Sequence, residues 1–159
     1  MEKTILVVDD NTISLSVAEA ALEKQYRVIP LSSAEKMFAI LEKITPDLIL
    51  LDIEMPKMDG FEAMKLLKES ESYAGIPVIF LTGLTDAVNE DHAIELGALD
   101  FFVKPISEPV LLNRIRNYIN IDEQVRERTK QLIERAERLE RKLADVRRGF
   151  ILLEAALRA

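Results

Sequence analysis

Three acids, a threonine and a lysine each follow a short run of apolar residues; they are Asp9, Asp10, Asp52, Thr82 and Lys104. In the segment "LILLD", for example, four apolar residues lead directly into the carboxylate of Asp52. An ionised carboxylate is costly to bury unless a cation or hydrogen bonds compensate it. We therefore expect Asp52 to lie at the mouth of a strand, beside a cation. Clustered carboxylates with a lysine and a hydroxyl suit a hard-cation site that holds a carboxylate nucleophile.

Short strands and helical stretches alternate through the first 120 residues. Apolar or β-branched runs of about five residues predict strands, at Thr4–Val8, Arg27–Leu31, Asp47–Leu51, Ile76–Leu81 and Leu99–Val103. Helical spacing between these runs indicates an α/β fold, with a five-stranded parallel sheet, right-handed crossovers and helices on both faces. Ligands of such sheets bind at the carboxyl ends of the strands. The polar residues fall at these ends.

Each polar residue also has an ordinary structural explanation. Acids that precede a helix often cap it, so Asp10 or Asn11 could cap the first helix. Asp52 could belong to a turn, Thr82 could close a strand, and Lys104 could be a solvated lysine. Turn chemistry does not require all of them to fall at the carboxyl ends of strands, so the joint pattern favours a site.

The composition describes an acidic chain without cysteine. The lack of cysteine excludes disulfides, thiolate catalysis and cysteine-ligated metals. Residues 1–120 carry 11 basic and 20 acidic residues, a net −9, whereas residues 121–159 carry 10 and 8, a net +2. An acidic globular part argues against direct binding of nucleic acid. No run approaches the roughly 18 apolar residues of a membrane span, and the start lacks the pattern of a signal peptide, so we expect a cytoplasmic protein with no membrane partner.

Four segments resemble the receiver domain of two-component response regulators: "VVDDN" at 7–11, "LLDIEMPKMDGFE" at 50–62, "IPVIFLTG" at 76–83 and "GALDFFVKP" at 97–105. Their order and spacing match the family as well as their residue types. The resemblance implies a flavodoxin-like fold with strand order 2-1-3-4-5. We accordingly predict a receiver domain at residues 1–120 and a helical extension, continuous with the last receiver helix, at residues 121–159.

The resemblance also implies roles for the polar residues. Asp52 would accept a phosphoryl group from a sensor histidine kinase or phosphotransfer protein, with Thr82 and Lys104 binding phosphoryl oxygens. The metal would be Mg²⁺ or Mn²⁺, held by Asp9, Asp10, Asp52 and the backbone carbonyl of Glu54. The only catalytic activity expected of such a domain is its own phosphorylation and slow dephosphorylation at Asp52, because no separate catalytic domain is visible.

A conformational switch is implied by the same resemblance. In receiver domains the hydroxyl residue, here Thr82, shifts towards the phosphoryl group, and an aromatic residue, here Phe101, turns inward. Phe101 lacks the phenol oxygen of a tyrosine, so such a switch would act by packing alone, and ordinary core packing is the alternative for this residue. The bond before Pro105 is a candidate for a cis peptide. We expect His92, the single histidine, at the surface.

The tail has the pattern of a coiled coil. After Ser107, a good helix N-cap, and Pro109 in the first turn, no helix breaker follows until Gly149. The seam residues recur with steps of three and four, and are Val125, Leu132, Ala136, Leu139, Leu143, Val146, Phe150, Leu153 and Leu157. In the heptad register abcdefg that places Leu132 at position d, Asp122 and Thr129 fall at position a and interrupt the seam. A lone helix cannot bury such a stripe, so we predict a homodimer through this helix.

The direction of pairing and the output stay open at this point. Arg135 and Glu140 attract each other across a parallel pair, whereas Lys142 and Arg147 repel. The stretch "VRERTKQL" is similar to linkers that join receivers to cyclic-di-GMP enzymes, so a missing output domain of that kind is one expectation.

Two functions fit the sequence. One is a phosphorylation-activated regulator that signals through a dimeric helix to an output domain or partner. The other is a phosphorylation-independent dimerising adaptor that uses the receiver as a structural head. The intact set of polar residues at the strand ends favours the first, because an adaptor would have no need of it.

Overall fold

The computed structural model describes residues 1–83 and 87–159, with residues 87–89 described as backbone only. Strands and helices alternate along the described chain. In order they are β1 (Thr4–Val8), α1 (Thr12–Leu22), β2 (Arg27–Leu31), α2 (Ala34–Leu41), β3 (Leu48–Asp52), α3 (Gly60–Glu69), β4 (Val78–Thr82), α4 (Ala87–Glu95), β5 (Asp100–Val103) and α5 (Glu108–Arg158). The two compact units of the chain are Met1–Arg116 and Asn117–Ala159.

The first unit contains one parallel sheet with strand order β2-β1-β3-β4-β5. This order confirms the predicted flavodoxin-like fold. Both faces of the sheet are covered, because neighbouring residues of a strand point to opposite faces and both are buried. Leu6 and Val8 of β1 pack in a cluster with residues of α2 and α3, and Ile5 and Val7, which point the other way, are buried as well.

Two strands end one residue later than predicted. β3 and β4 extend to include Asp52 and Thr82, so these polar residues are the last residues of their strands rather than the first residues beyond them. β3 also begins one residue later, at Leu48, and the Asp47 carboxylate just before it accepts the N–H of Thr4 at 2.8 Å. The bounds of β1 and β2 agree with the prediction.

β2 forms one edge of the sheet. The N–H of Arg27 donates to the Lys3 carbonyl, 2.9 Å away, on the side of β1. Because the direction of backbone groups alternates along a strand, the nitrogens of Val28 and Pro30 face away from β1. Proline has no N–H, and it is tolerated at such an outward position of an edge strand.

The second unit consists of the greater part of α5. The helix starts as the sequence predicts, since the Leu111 N–H donates to the carbonyl of Ser107, 3.0 Å away. Every side chain from Glu123 to Ala159 is exposed in the single chain. Over the described residues, no helix combines the length and the apolar character that crossing a membrane requires.

Candidate functional site

The candidate site lies where four strands end side by side. The register pairs Val8 with Leu51, Asp52 with Leu81, and Thr82 with Val103 across neighbouring strands. The carboxyl ends of β1, β3, β4 and β5 are therefore nearly level. Because the predicted polar residues end or directly follow these strands, the fold brings all of them to the end of the sheet where these strands have their carboxyl termini.

The carboxylates and the lysine are in contact. Asp9 is 1% exposed and Asp52 is 5% exposed, so both carboxylates are withdrawn from bulk water. The Lys104 ammonium forms an ion pair with Asp9 Oδ2 and lies 3.5 Å from Asp52 Oδ1. Asp10 is exposed, yet one carboxylate oxygen from each of the three aspartates lies within 4.8 Å of the others. The cluster is thus open to solvent on one side.

The electrostatics of this cluster are unfavourable for the free anion. Burial of Asp52, followed by the negative charge of Asp9, raises the pKa of the Asp52 carboxyl from 3.8 to about 7, although Lys104 opposes this shift. One lysine therefore compensates the buried negative charge only in part. A divalent cation among the carboxylates would remove the repulsion, because a bound cation is the largest local charge in such a site.

The donor set fits Mg²⁺. The three side-chain candidate ligands are carboxylate oxygens, which hard divalent cations prefer, and Mg²⁺ is commonly held by only a few carboxylates with water completing its shell. The exposed side of Asp10 leaves room for such water. Glu54, whose backbone carbonyl is the remaining predicted ligand, lies two residues after Asp52 and has an exposed side chain.

The loop after β1 explains how Asp9 is oriented. Asn11 caps α1, because its side-chain oxygen accepts the N–H groups of Ile13 and Ser14 at 2.9 and 3.0 Å. The N–H of Asn11 in turn donates to Asp9 Oδ1 at 2.9 Å. Of the two capping residues considered from sequence, the structure uses Asn11. Asp10 is therefore left with its carboxylate at the cluster.

The loop after β3 leads into a residue, Gly60, whose role the sequence did not predict. A Cβ placed on Gly60 would lie 2.4 Å from the carbonyl oxygen of Asp52 and 2.8 Å from Ile53 Cα, so α3 starts in direct contact with the end of β3. Asp59 and Glu62 fix this start through a capping box, in which each side chain accepts the other's backbone N–H. The spacing D-x-x-E is a recognised signal for such a box, but nothing in the sequence reveals what Gly60 touches.

A tight turn lies in the same loop. Lys57 has a φ of 68°, and the N–H of Met58 donates to the carbonyl of Pro56 at 2.9 Å. A hydrogen bond between residues two apart defines a γ-turn, and a positive φ at a residue other than glycine is strained. The strain is confined to a loop whose end is held by the capping box of α3. No side-chain pattern in the sequence predicted it.

Thr82 and Phe101 are both buried. Thr82 is fully buried, and its carbonyl accepts the N–H of Lys104 at 2.7 Å. Phe101 is 8% exposed and packs in the core cluster, whereas Phe102 lies on the other side of β5 beneath the guanidinium of Arg114, 4.9 Å from the ring centre. The ring of Phe101 therefore occupies an inward position. The Lys104–Pro105 bond is cis.

His92 does not lie free on the surface as expected. It is half-buried, and its ring packs edge-on against Phe61 with ring centres 4.6 Å apart. Phe61 follows Gly60 at the start of α3 and contacts Phe80 of β4 in turn. The contact joins α4 to α3 across a long stretch of sequence, which is why periodicity within α4 did not predict it.

Comparisons with known proteins agree with this geometry. The family model for the response regulator receiver domain matches residues 5–116. Over 116 residues the chain is 38% identical to a probable cyclic di-GMP phosphodiesterase of Vibrio cholerae, covering 73% of this chain and 26% of that protein. Over 118 residues it is 36% identical to the response regulator PleD of Caulobacter vibrioides, covering 74% and 26%.

Solved structures give the same result. A CheY-like response regulator receiver domain protein from Methanospirillum hungatei superposes with a TM-score of 0.72 at 29% identity, covering 78% of this chain and 98% of that one. The chain spans only about a quarter of the length of the two curated relatives described above.

Proposed function

Because the chain belongs to the response regulator receiver domain family, we propose that it is a phosphorylation-activated response regulator whose Asp52 accepts a phosphoryl group. The donor is a phosphohistidine of a histidine kinase or phosphotransfer protein. The observation that carries this proposal is the buried pair Asp9 and Asp52 held against Lys104 at the end of the sheet. A purely structural head would gain nothing from burying two carboxylates around one lysine.

The chain's own groups account for the transfer. An Asp52 carboxylate oxygen attacks phosphorus as the bond from phosphorus to the donor nitrogen breaks, which gives an acyl phosphate and a free histidine. Lys104, 3.5 Å from Asp52 Oδ1, pairs with a phosphoryl oxygen as a point charge, and the Thr82 hydroxyl donates to another. Mg²⁺ (or Mn²⁺) would neutralise the anions that meet in the site. Its ligands would be Asp9, Asp10, Asp52 and the Glu54 carbonyl.

The readout that we propose uses Thr82, Phe101 and α5. Phosphorylation draws the Thr82 hydroxyl towards the phosphoryl group, and the inward ring of Phe101 packs into the space behind it. The change then passes to α5, whose exposed seam pairs with a second copy of the chain and leads to an output domain or partner. A cyclic-di-GMP enzyme is the class of output that one of the curated relatives suggests, because its name describes a probable cyclic di-GMP phosphodiesterase.

The test is phosphorylation with a small acyl-phosphate donor and Mg²⁺, read by intact mass. The wild-type chain should gain one phosphoryl group, and Asp52→Asn should gain none. Asp47→Asn is the matched control, since Asp47 lies at the other end of β3, and it should react like the wild type. An Asp52→Asn variant that reacts at the wild-type rate would remove Asp52 from the central role.

The readout needs a separate measurement. Beryllofluoride with Mg²⁺ mimics the acyl phosphate, and light scattering after size exclusion reports the mass and shape of the full chain. A change that requires both reagents and is lost in Asp52→Asn supports the switch. If the mimic fails to bind and the dimer is unchanged, the result favours the adaptor function instead.

A further inference from the structure

The seam of α5 is exposed along its whole length in the single chain. Leu132, Leu139 and Leu143 are 51–57% exposed, and the seam continues to Leu157 at 79%. An apolar stripe of this length with charged residues on either side is typical of a helix that pairs with another helix. The proposed function already requires a second copy of the chain as the partner. The remaining question is how the two helices run.

The two polar residues of the seam are satisfied within their own helix. The Asp122 carboxylate pairs with Arg126 Nε at 2.8 Å, and the Thr129 hydroxyl donates to the Val125 carbonyl at 2.8 Å. Both can therefore enter a helix interface without leaving a donor or charge unpaired. They also lie at the same end of the seam, so their position depends on the direction of pairing.

A parallel pair in register keeps the polar residues together. Thr129 then faces Thr129 of the second copy, and every layer from Leu132 to Leu157 is apolar. An antiparallel pair that uses the same seam instead sets each Thr129 against Leu153 of the other copy, which places a hydroxyl in an apolar layer near both ends. Polar residues at heptad position a favour the register in which the polar residue of one helix faces that of the other.

The charges beside the seam add a second argument. Glu134 and Glu137 on the outer face each have an arginine four residues later, a spacing that allows pairing within one helix. Glu140, at an e position, has no opposite charge three or four residues away, and neither has Arg135, at a g position. A parallel pair brings Arg135 of one copy to Glu140 of the other. These two residues find their complement only across the interface.

We propose that two copies of the chain pair through residues 122–157 as a parallel, in-register coiled coil. This proposal rests on the dimeric role of α5 in the proposed function and adds its direction and register. Both receiver-proximal ends of the coil lie together, and both carboxyl ends lie together at the other end. Any output or partner beyond residue 157 therefore meets two helix ends at once.

Cysteine cross-linking tests the direction, because the natural chain has no cysteine to interfere. In the parallel pair, Leu153→Cys places two thiols opposite each other, and mild oxidation should convert most of the chain to a covalent dimer. In the antiparallel pair the same thiols are about 36 Å apart by the rise of the helix, and no cross-link forms. Leu152→Cys is the matched control, since this neighbouring exposed leucine lies on the outer face and should not cross-link.

A charge reversal tests the register. The parallel pair sets Lys142 against Arg147 of the other copy, which is an unfavourable contact between like charges. Arg147→Glu should therefore lower the dimer dissociation constant, measured by sedimentation, roughly three- to tenfold. Arg148→Glu is the control, because Arg148 lies on the outer face and pairs with Asp145 of its own helix, so its reversal acts within one chain and should not lower the constant.

The outcomes separate the two levels of the proposal. A dimer that cross-links only when Thr129→Cys and Leu153→Cys chains are mixed overturns the parallel direction and leaves the dimer. A monomer at all concentrations overturns the pairing itself. Phosphorylation of Asp52, measured independently by mass, shows in either case whether the chemistry of the site stands.

Discussion

Replacing Asp52 with asparagine should stabilise the metal-free chain, and the gain should grow with pH. Below about pH 4 the carboxyl is neutral in both the folded and the unfolded chain, so the substitution removes no charge. Between pH 4 and 7 the unfolded chain ionises while the folded chain keeps the proton, because the folded pKa is raised to about 7. A raised folded pKa means that stability is lost as pH rises through that pKa.

The magnitude follows from the shift. A rise of the Asp52 pKa from 3.8 to about 7 lowers the free energy of unfolding by about 4 kcal/mol between a pH below both values and a pH above both. About 2–3 kcal/mol of this loss in the free energy of unfolding falls between pH 5 and pH 8. Asparagine has the volume of aspartate and keeps an oxygen that can accept from Lys104. The pH-dependent part of the difference therefore comes from the charge.

Urea denaturation in a chelating buffer at pH 5 and pH 8 measures this difference. Glu54→Gln is the control, because the Glu54 side chain is exposed, and it should change the free energy of unfolding little at either pH. At a Mg²⁺ concentration of a hundred times its dissociation constant, the ion should raise the free energy of unfolding of the wild type by about 2.7 kcal/mol. The same addition should leave the free energy of unfolding of Asp52→Asn nearly unchanged. A stability difference between wild type and Asp52→Asn of equal size at both pH values would refute the reasoning.

Two glycines give further predictions, both read by urea denaturation. Gly60→Ala should destabilise the chain by about 3 kcal/mol and slow phosphorylation of Asp52, because the new Cβ would overlap the Asp52 carbonyl oxygen and force α3 away from the end of β3; normal phosphorylation would contradict the contact. Gly97→Ala should cost about 1–2 kcal/mol, since Gly97 has a φ of 91°. Gly75→Ala, where nothing lies within 4 Å, is the control for both.

The placement of the polar residues was predictable because two simple regularities meet in this fold. Apolar runs of strand length identify the strands, and parallel strands end at one edge of the sheet. Any polar residue directly after such a run must then lie near the others. The late ends of β3 and β4 changed the strand assignment of Asp52 and Thr82 without changing their place in space.

The details that sequence did not predict depend on backbone geometry or on distant contacts. Asp10 and Asn11 have similar capping chemistry, and only the path of the backbone into α1 selects Asn11. The role of Gly60 depends on the carbonyl of Asp52, which lies against it only after β3 and α3 have packed. His92 was expected at the surface because the aromatic ring that covers it belongs to another helix.

The edge strand β2 also bears on how the chain behaves at high concentration. Exposed N–H groups along the edge of a sheet are a template on which another chain can add a strand, and such addition leads to aggregation. Pro30 removes one of these donors from the outward side of β2, and the exposed Arg27 adds charge to the same strand. This edge of the sheet is therefore poorly suited to extension by a strand of another chain.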